Sequence, residues 1–100
     1  MDAQDRVAEF LAAHQLETDP TFRLFDLVSE VGELAKSVNT STRYGQKPDR
    51  IALDESEYGD VLFATLALGA ESGFDADEAL ETAIQKYRTR MELGEDPGSG

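Results

Sequence analysis

Two short acidic pairs hold the residues whose type and spacing could do chemistry. Glu30-Val-Gly-Glu33 and Glu57-Tyr-Gly-Asp60 each set two carboxylates three residues apart inside an apolar, helix-like pattern. On a helix, residues at i and i+3 share a face with side chains about 5–6 Å apart, so each pair forms a two-pronged oxygen claw. Two claws facing each other would gather four carboxylates, and such a cluster repels itself without a cation. The single histidine, His14, falls on the apolar edge of the first predicted helix and reads as a packing residue with no catalytic role.

Composition bounds what such a site could serve. Acidic residues outnumber basic ones 21 to 9, for a net charge of −12, which argues against a nucleic-acid polymer as partner because a binding groove needs a basic stripe. Many acids and few lysines resemble proteins adapted to high salt, where the Debye length shrinks to about 3 Å at 1 M. With no cysteine, neither disulfides nor a thiolate metal site is available. The opening MDAQDRVAEF has no secretory pattern, and no run approaches the roughly 20 apolar residues that span a bilayer. The expectation is a cytoplasmic protein with no membrane partner. One hundred residues make one domain burying about two-thirds of its unfolded surface, so a pocket belongs at the edge of the core or between subunits. A homo-oligomer, dimer or dimer of dimers, is expected for that reason.

The elements that must position the claws read as four helices. Ala3, Val7, Phe10, Leu11 and His14 recur at helical spacing over about residues 2–16. Asp19-Pro20 starts a second helix running to about Val38, with Phe22, Phe25, Val28, Val31, Leu34, Ala35 and Val38 as its stripe. Gly32, between the two glutamates, costs about 1 kcal/mol against alanine, which points to close approach by another helix or a ligand. Residues 39–53 lose the period and read as a loop whose Arg43, Lys47 and Arg50 either meet an anionic ligand or are simply solvated. Asp54 and Glu57 have the form of a capping box before a third helix that ends near Ser72-Gly73. Asp75 and Glu78 form a second box, opening a fourth helix with Leu80, Ile84, Tyr87 and Met91 on its stripe. Residues 1–93 are expected to form the single helical domain. Residues 94–100, with nothing apolar to bury, read as a disordered tail.

Taken in order, these residues resemble the MazG-like all-α nucleotide pyrophosphohydrolases. The stretch Glu30-Val-Gly-Glu-Leu-Ala-Lys36 looks like that family's first motif, Asp60-Val-Leu-Phe63 like its second, and Gly73-Phe-Asp through Lys86-Tyr-Arg-Thr-Arg90 like its closing helix. The resemblance spans about residues 22–91 and implies a four-helix MazG-like bundle in an oligomeric protein. It also implies that Glu30, Glu33, Glu57 and Asp60 coordinate Mg2+, with Mn2+ as the alternative ion. The implied reaction splits a nucleoside triphosphate into monophosphate and pyrophosphate, with Glu33 or Glu57 holding the attacking water as base. A carboxylate set with no Cys or His suits Mg2+ better than zinc. Lys36, Lys86 and Arg90 match the family's phosphate-holding cations. Tyr44, Tyr58 and Phe63 are either core or base-stacking residues, and helical spacing favours core. The chain lacks the tryptophans that some relatives place around the base. Phosphoribosyl-ATP pyrophosphohydrolase is the enzymatic alternative, and a catalytically idle helical interaction module is the alternative of another class.

Overall fold

Four aspartates start the four helices. Asp2 accepts the Asp5 N–H at 2.7 Å and opens α1, Ala3–Ala13. Asp19 accepts the Thr21 N–H at 2.9 Å and opens α2, Pro20–Thr42, with Pro20 in the first turn where its missing N–H is harmless. That hydrogen bond holds the Asp19 carboxyl below its usual value. Asp54 accepts from Ser56 and Glu57 N–H groups at the start of α3, Glu55–Glu71. Asp75 accepts from Glu78 N–H at the start of α4, Ala76–Glu92. Each such cap contributes about 0.5–2 kcal/mol. The computed structural model describes residues 2–94, and among them there is no strand. The expected tail at 94–100 lies, apart from Gly94, outside the described residues.

The second helix runs one turn beyond the expected end at Val38. Hydroxyls explain the extension: Ser41 Oγ and Thr42 Oγ1 both donate to the Val38 carbonyl, and Thr42 is buried, so the polar run Asn39-Thr-Ser-Thr stays helical. The helix then stops abruptly, with Arg43, Tyr44 and Gly45 all at positive φ. Thr42 Oγ1 accepts the Gly45 N–H at 3.1 Å, which anchors that turn. The loop is therefore shorter than residues 39–53, and Pro48–Arg50 within it form a single 3-10 turn. Its far end is tied back to α2, because the Ala52 N–H donates to Ser41 Oγ at 3.0 Å.

Helices α2 and α3 lie antiparallel. The start of α2 meets the end of α3 through Arg23 and Glu71, and the end of α2 meets the segment before α3 through Ser41 and Ala52. On the other side of α3 packs α1, where Val7, Leu11 and Ala67 form the core with Leu66 against it. Helix α4 packs sparsely against α3, is held at its first residue by Gln4 of α1, and buries no residue completely. The four helices thus form an open arrangement rather than a closed bundle: the radius of gyration is 16.7 Å, against about 13 Å for a compact 100-residue domain. Large apolar side chains remain outside, among them Phe22, Phe25, Val28 and Val31 on α2 and Leu80, Tyr87 and Met91 on α4. Among the described residues no helix is long and apolar enough to cross a membrane.

Candidate metal centre

Antiparallel packing of α2 on α3 brings the two acidic pairs onto one seam. Glu30 from α2 and Glu57 and Asp60 from α3 each direct a carboxylate oxygen into a group whose members all lie within 4.8 Å of one another. Glu30 and Glu57 are half-buried and Asp60 is exposed. Burial pushes the Glu57 carboxyl above the usual range, and the neighbouring charges of Asp60, Asp54, Glu33 and Glu30 push it further the same way. The capping box expected at the start of α3 is half formed: Asp54 caps Glu57 N–H, and among the described residues no bond returns from Glu57 to the Asp54 backbone.

Two clefts flank the cluster. One, of about 550 Å3, runs along a single face of α2 through Glu33, Lys36, Ser37, Thr40 and Ser41, and is walled by Ala52, Leu53, Asp54 and Glu57. The other, of about 380 Å3, is lined by Arg23, Asp26, Glu30, Asp60, Phe63 and Ala64. Glu33 stands outside the closest oxygen group but shares the larger cleft with Glu57. Lys36 is beside it there. Among the described residues no ion pair joins Lys36 to Glu33; the ion pairs found are those of Arg23 with Glu71 and Asp26.

Several predicted participants are elsewhere. Lys86 and Arg90 line neither cleft, and instead flank the Tyr87 ring, with Lys86 Nζ 5.0 Å and Arg90 Cζ 6.0 Å from its centroid. The loop cations Arg43, Lys47 and Arg50 are exposed and line neither cleft. Tyr44 and Tyr58 are exposed rather than core, while Phe63 lies edge-on to Phe10 and lines the smaller cleft. His14 is exposed, with its ring tilted 45° against that of Phe10 and the centroids 4.5 Å apart. At Gly32, where close approach by a helix or a ligand is expected, no atom of a neighbouring element lies within 4 Å of where its Cβ would stand, so the chain's own helices do not supply that approach. Arg23 and Asp26 were missed as cleft residues, although their spacing to Glu30, seven and four residues, places all three on one helix face.

An acid-lined seam between two antiparallel helices, with a third helix behind and no sheet among the described residues, defines an all-helical protein with clustered carboxylates. Residues 20–93 match the model of the MazG nucleotide pyrophosphohydrolase domain, and the chain belongs to that family. It is also 37% identical over 75 residues to the uncharacterized protein YpjD of Bacillus subtilis (strain 168). That match covers 71% of this chain and 66% of YpjD, so the chain spans just under two thirds of that relative's length. No solved structure matches the chain.

Proposed function

We propose that this protein is a Mg2+-dependent pyrophosphohydrolase that converts nucleoside or deoxynucleoside triphosphates to monophosphate and pyrophosphate, in housekeeping of the nucleotide pool. The observation that carries this reading is the convergence of Glu30, Glu57 and Asp60 oxygens from two helices within 4.8 Å, in a chain of a nucleotide pyrophosphohydrolase family. The donor set fits the ion: all ligands are carboxylate oxygens, which suit Mg2+ or Mn2+, and the cluster includes neither thiolate nor imidazole. Glu30, Glu33, Glu57 and Asp60 are the proposed ligands.

Bound Mg2+ would neutralise phosphate charge and lower the pKa of a water. The chain's own residues supply the remaining steps. Glu33 or Glu57, sharing one cleft, takes a proton from the water as its oxygen attacks the α-phosphorus, and the bond to the α–β bridging oxygen breaks to release pyrophosphate. Lys36 in that cleft holds phosphate oxygens. No Ser, Cys or His is assigned a covalent role.

Self-association belongs to the same reading. The apolar residues left open on α2 and α4 favour a homodimer or dimer of dimers in which a second copy closes the cleft. Lys86 and Arg90, which line neither cleft in their own chain, join the phosphate site across that interface. Light scattering at micromolar concentration should give a dimer or tetramer, and a monomer would remove this part.

The reaction is tested by incubating the protein with Mg2+ and each triphosphate, with phosphoribosyl-ATP in the panel, and identifying the products. Monophosphate and pyrophosphate are expected. Release of orthophosphate, or full activity in EDTA, would overturn the mechanism.

A further inference from the structure

Next to the acidic cluster, a second group of charges is drawn together across the fold. Arg23 Nε donates to Glu71 Oε1 at 2.5 Å, its Nη1 donates to Asp26 Oδ2 at 3.3 Å, and its Nη2 donates to the Leu16 carbonyl at 2.5 Å. The second oxygen of Glu71 accepts the Thr18 N–H at 2.8 Å. One guanidinium therefore joins three segments: the link between α1 and α2, the first turns of α2, and the last turn of α3. The two side chains are only 13% and 8% exposed.

Burial of this kind adds little net stability, because desolvating both charges offsets most of their attraction. What a rigid, planar guanidinium does supply, with each of its three nitrogens on a different acceptor, is fixed geometry. Arg23 precedes Glu30 by seven residues and Glu71 follows Asp60 by eleven, about two and three helical turns, so the pair sits on the same interhelical seam as the acids. Arg23 itself lines the cleft that Glu30 and Asp60 share. Between pair and acids the α3 wall of that cleft includes Ala64, a residue too small to define register by interlocking. Meanwhile the facing carboxylates push the helices apart.

We propose that the Arg23–Glu71 pair is a positioning device for the metal centre: it holds the register of α2 against α3 so that Glu30 stays converged with Glu57 and Asp60 before a cation binds. The inference rests on the reading of those three residues as cation ligands. It makes a prediction that charge alone does not. Removing Arg23 makes the seam more negative and removing the Glu71 charge makes it less so, hence electrostatics alone would shift cation affinity in opposite directions. Loss of register weakens binding in both.

The experiment is calorimetric titration with Mg2+ alone, at a temperature where circular dichroism shows the parent, Arg23→Met, Glu71→Gln and Val7→Ala all folded. Val7→Ala weakens the α1–α3 core without touching this seam. Both pair variants should bind Mg2+ more weakly by about 10-fold, the lower end of what partners of metal ligands contribute, while Val7→Ala binds as the parent does. Unchanged affinity in both pair variants, or shifts of opposite sign, would overturn the positioning role. So would an equal loss in Val7→Ala. If Arg23→Met does not fold, Arg23→Lys takes its place, because it keeps the charge and loses the three-way hydrogen bonding of the guanidinium: weaker Mg2+ binding is expected, and unchanged affinity would overturn the positioning role. A parent that binds neither Mg2+ nor Mn2+ would overturn the metal reading itself, and this inference with it.

Discussion

The side chain of Gln4 lies across Gly69, its Nε2 3.0 Å from where a β-carbon on that glycine would stand. From there the amide reaches the α3–α4 connection with both ends, Nε2 donating to the Phe74 carbonyl at 2.8 Å and Oε1 accepting the Ala76 N–H at 2.8 Å. A residue of the first helix thereby ties down the start of the fourth, whose cations Lys86 and Arg90 are proposed to serve the phosphate site. Glycine within α3 is what gives the amide room.

That contact predicts a coupling. Gly69→Ala gains about 1 kcal/mol of helix propensity, but it crowds an amide that makes two hydrogen bonds worth about 0.5–1.5 kcal/mol each. In urea unfolding, the substitution should be near neutral in the parent and stabilising by about 1 kcal/mol in a Gln4→Ala background. Equal effects in both backgrounds would mean the two residues act independently.

The acids predict a separation of activity from stability. Glu33→Gln should lower turnover by roughly two to four powers of ten, the usual worth of a general base, and Asp60→Asn should lose most activity as well. Far-UV circular dichroism and the melting temperature of the metal-free protein should hold or improve, since each change removes a charge that its neighbours repel. Unaltered turnover in both variants would make the acidic pairs structural.

Glu57 predicts a pH dependence with a definite sign. Its carboxyl is raised on folding, first by burial and then by the charges of Asp60, Asp54, Glu33 and Glu30. Below the ordinary glutamate range it is protonated in both folded and unfolded chains, and its contribution to stability is complete; that contribution is lost as pH rises through the raised folded value. The metal-free parent should therefore lose stability relative to Glu57→Gln as pH rises from the ordinary glutamate value toward neutrality. Denaturant midpoints measured on both proteins across this range give the difference directly. Parallel curves would place Glu57 outside the repelling cluster.

Net charge predicts a response to salt. The −12 charge opposes compaction, and raising KCl from about 0.1 M to 1 M shortens the Debye length from about 10 Å to 3 Å. The melting temperature of the metal-free protein should rise over that interval. A flat profile would remove adaptation to a saline host and leave the fold as it is.

Much of this architecture was legible in local chemistry. Asp19, Asp54 and Asp75 announce helix starts because a short carboxylate reaches the free N–H groups of the first turn, and all three do so. Gly73, at φ +75°, ends α3 where a side chain would be strained. The spacing of Glu30, Glu57 and Asp60, with the motifs around them, pointed to a carboxylate cluster of the MazG type, and three of the four acids expected to meet do meet. These features depend on neighbours within a turn or two, and sequence order alone determines such neighbours.

What the chain order left open was decided by how the helices lie against one another. Glu33 and Glu30 share a claw three residues apart, yet the crossing of α3 admits Glu30 to the closest oxygen group and leaves Glu33 in the adjoining cleft. Gly32 reads as a site of close approach by a helix or a ligand, while the approach made by a helix falls on Gly69, where Gln4 arrives from a helix more than sixty residues away in sequence. Arg23 and Glu71, 48 residues apart, carry no local signal of their pairing. Lys86 and Arg90 read as phosphate-holding cations because their motif resembles the family's closing helix, and within their own chain they line neither cleft. Periodicity reports which face of a helix is apolar; the partner that face meets, and the register in which it meets it, arise only when distant segments exclude water from one another.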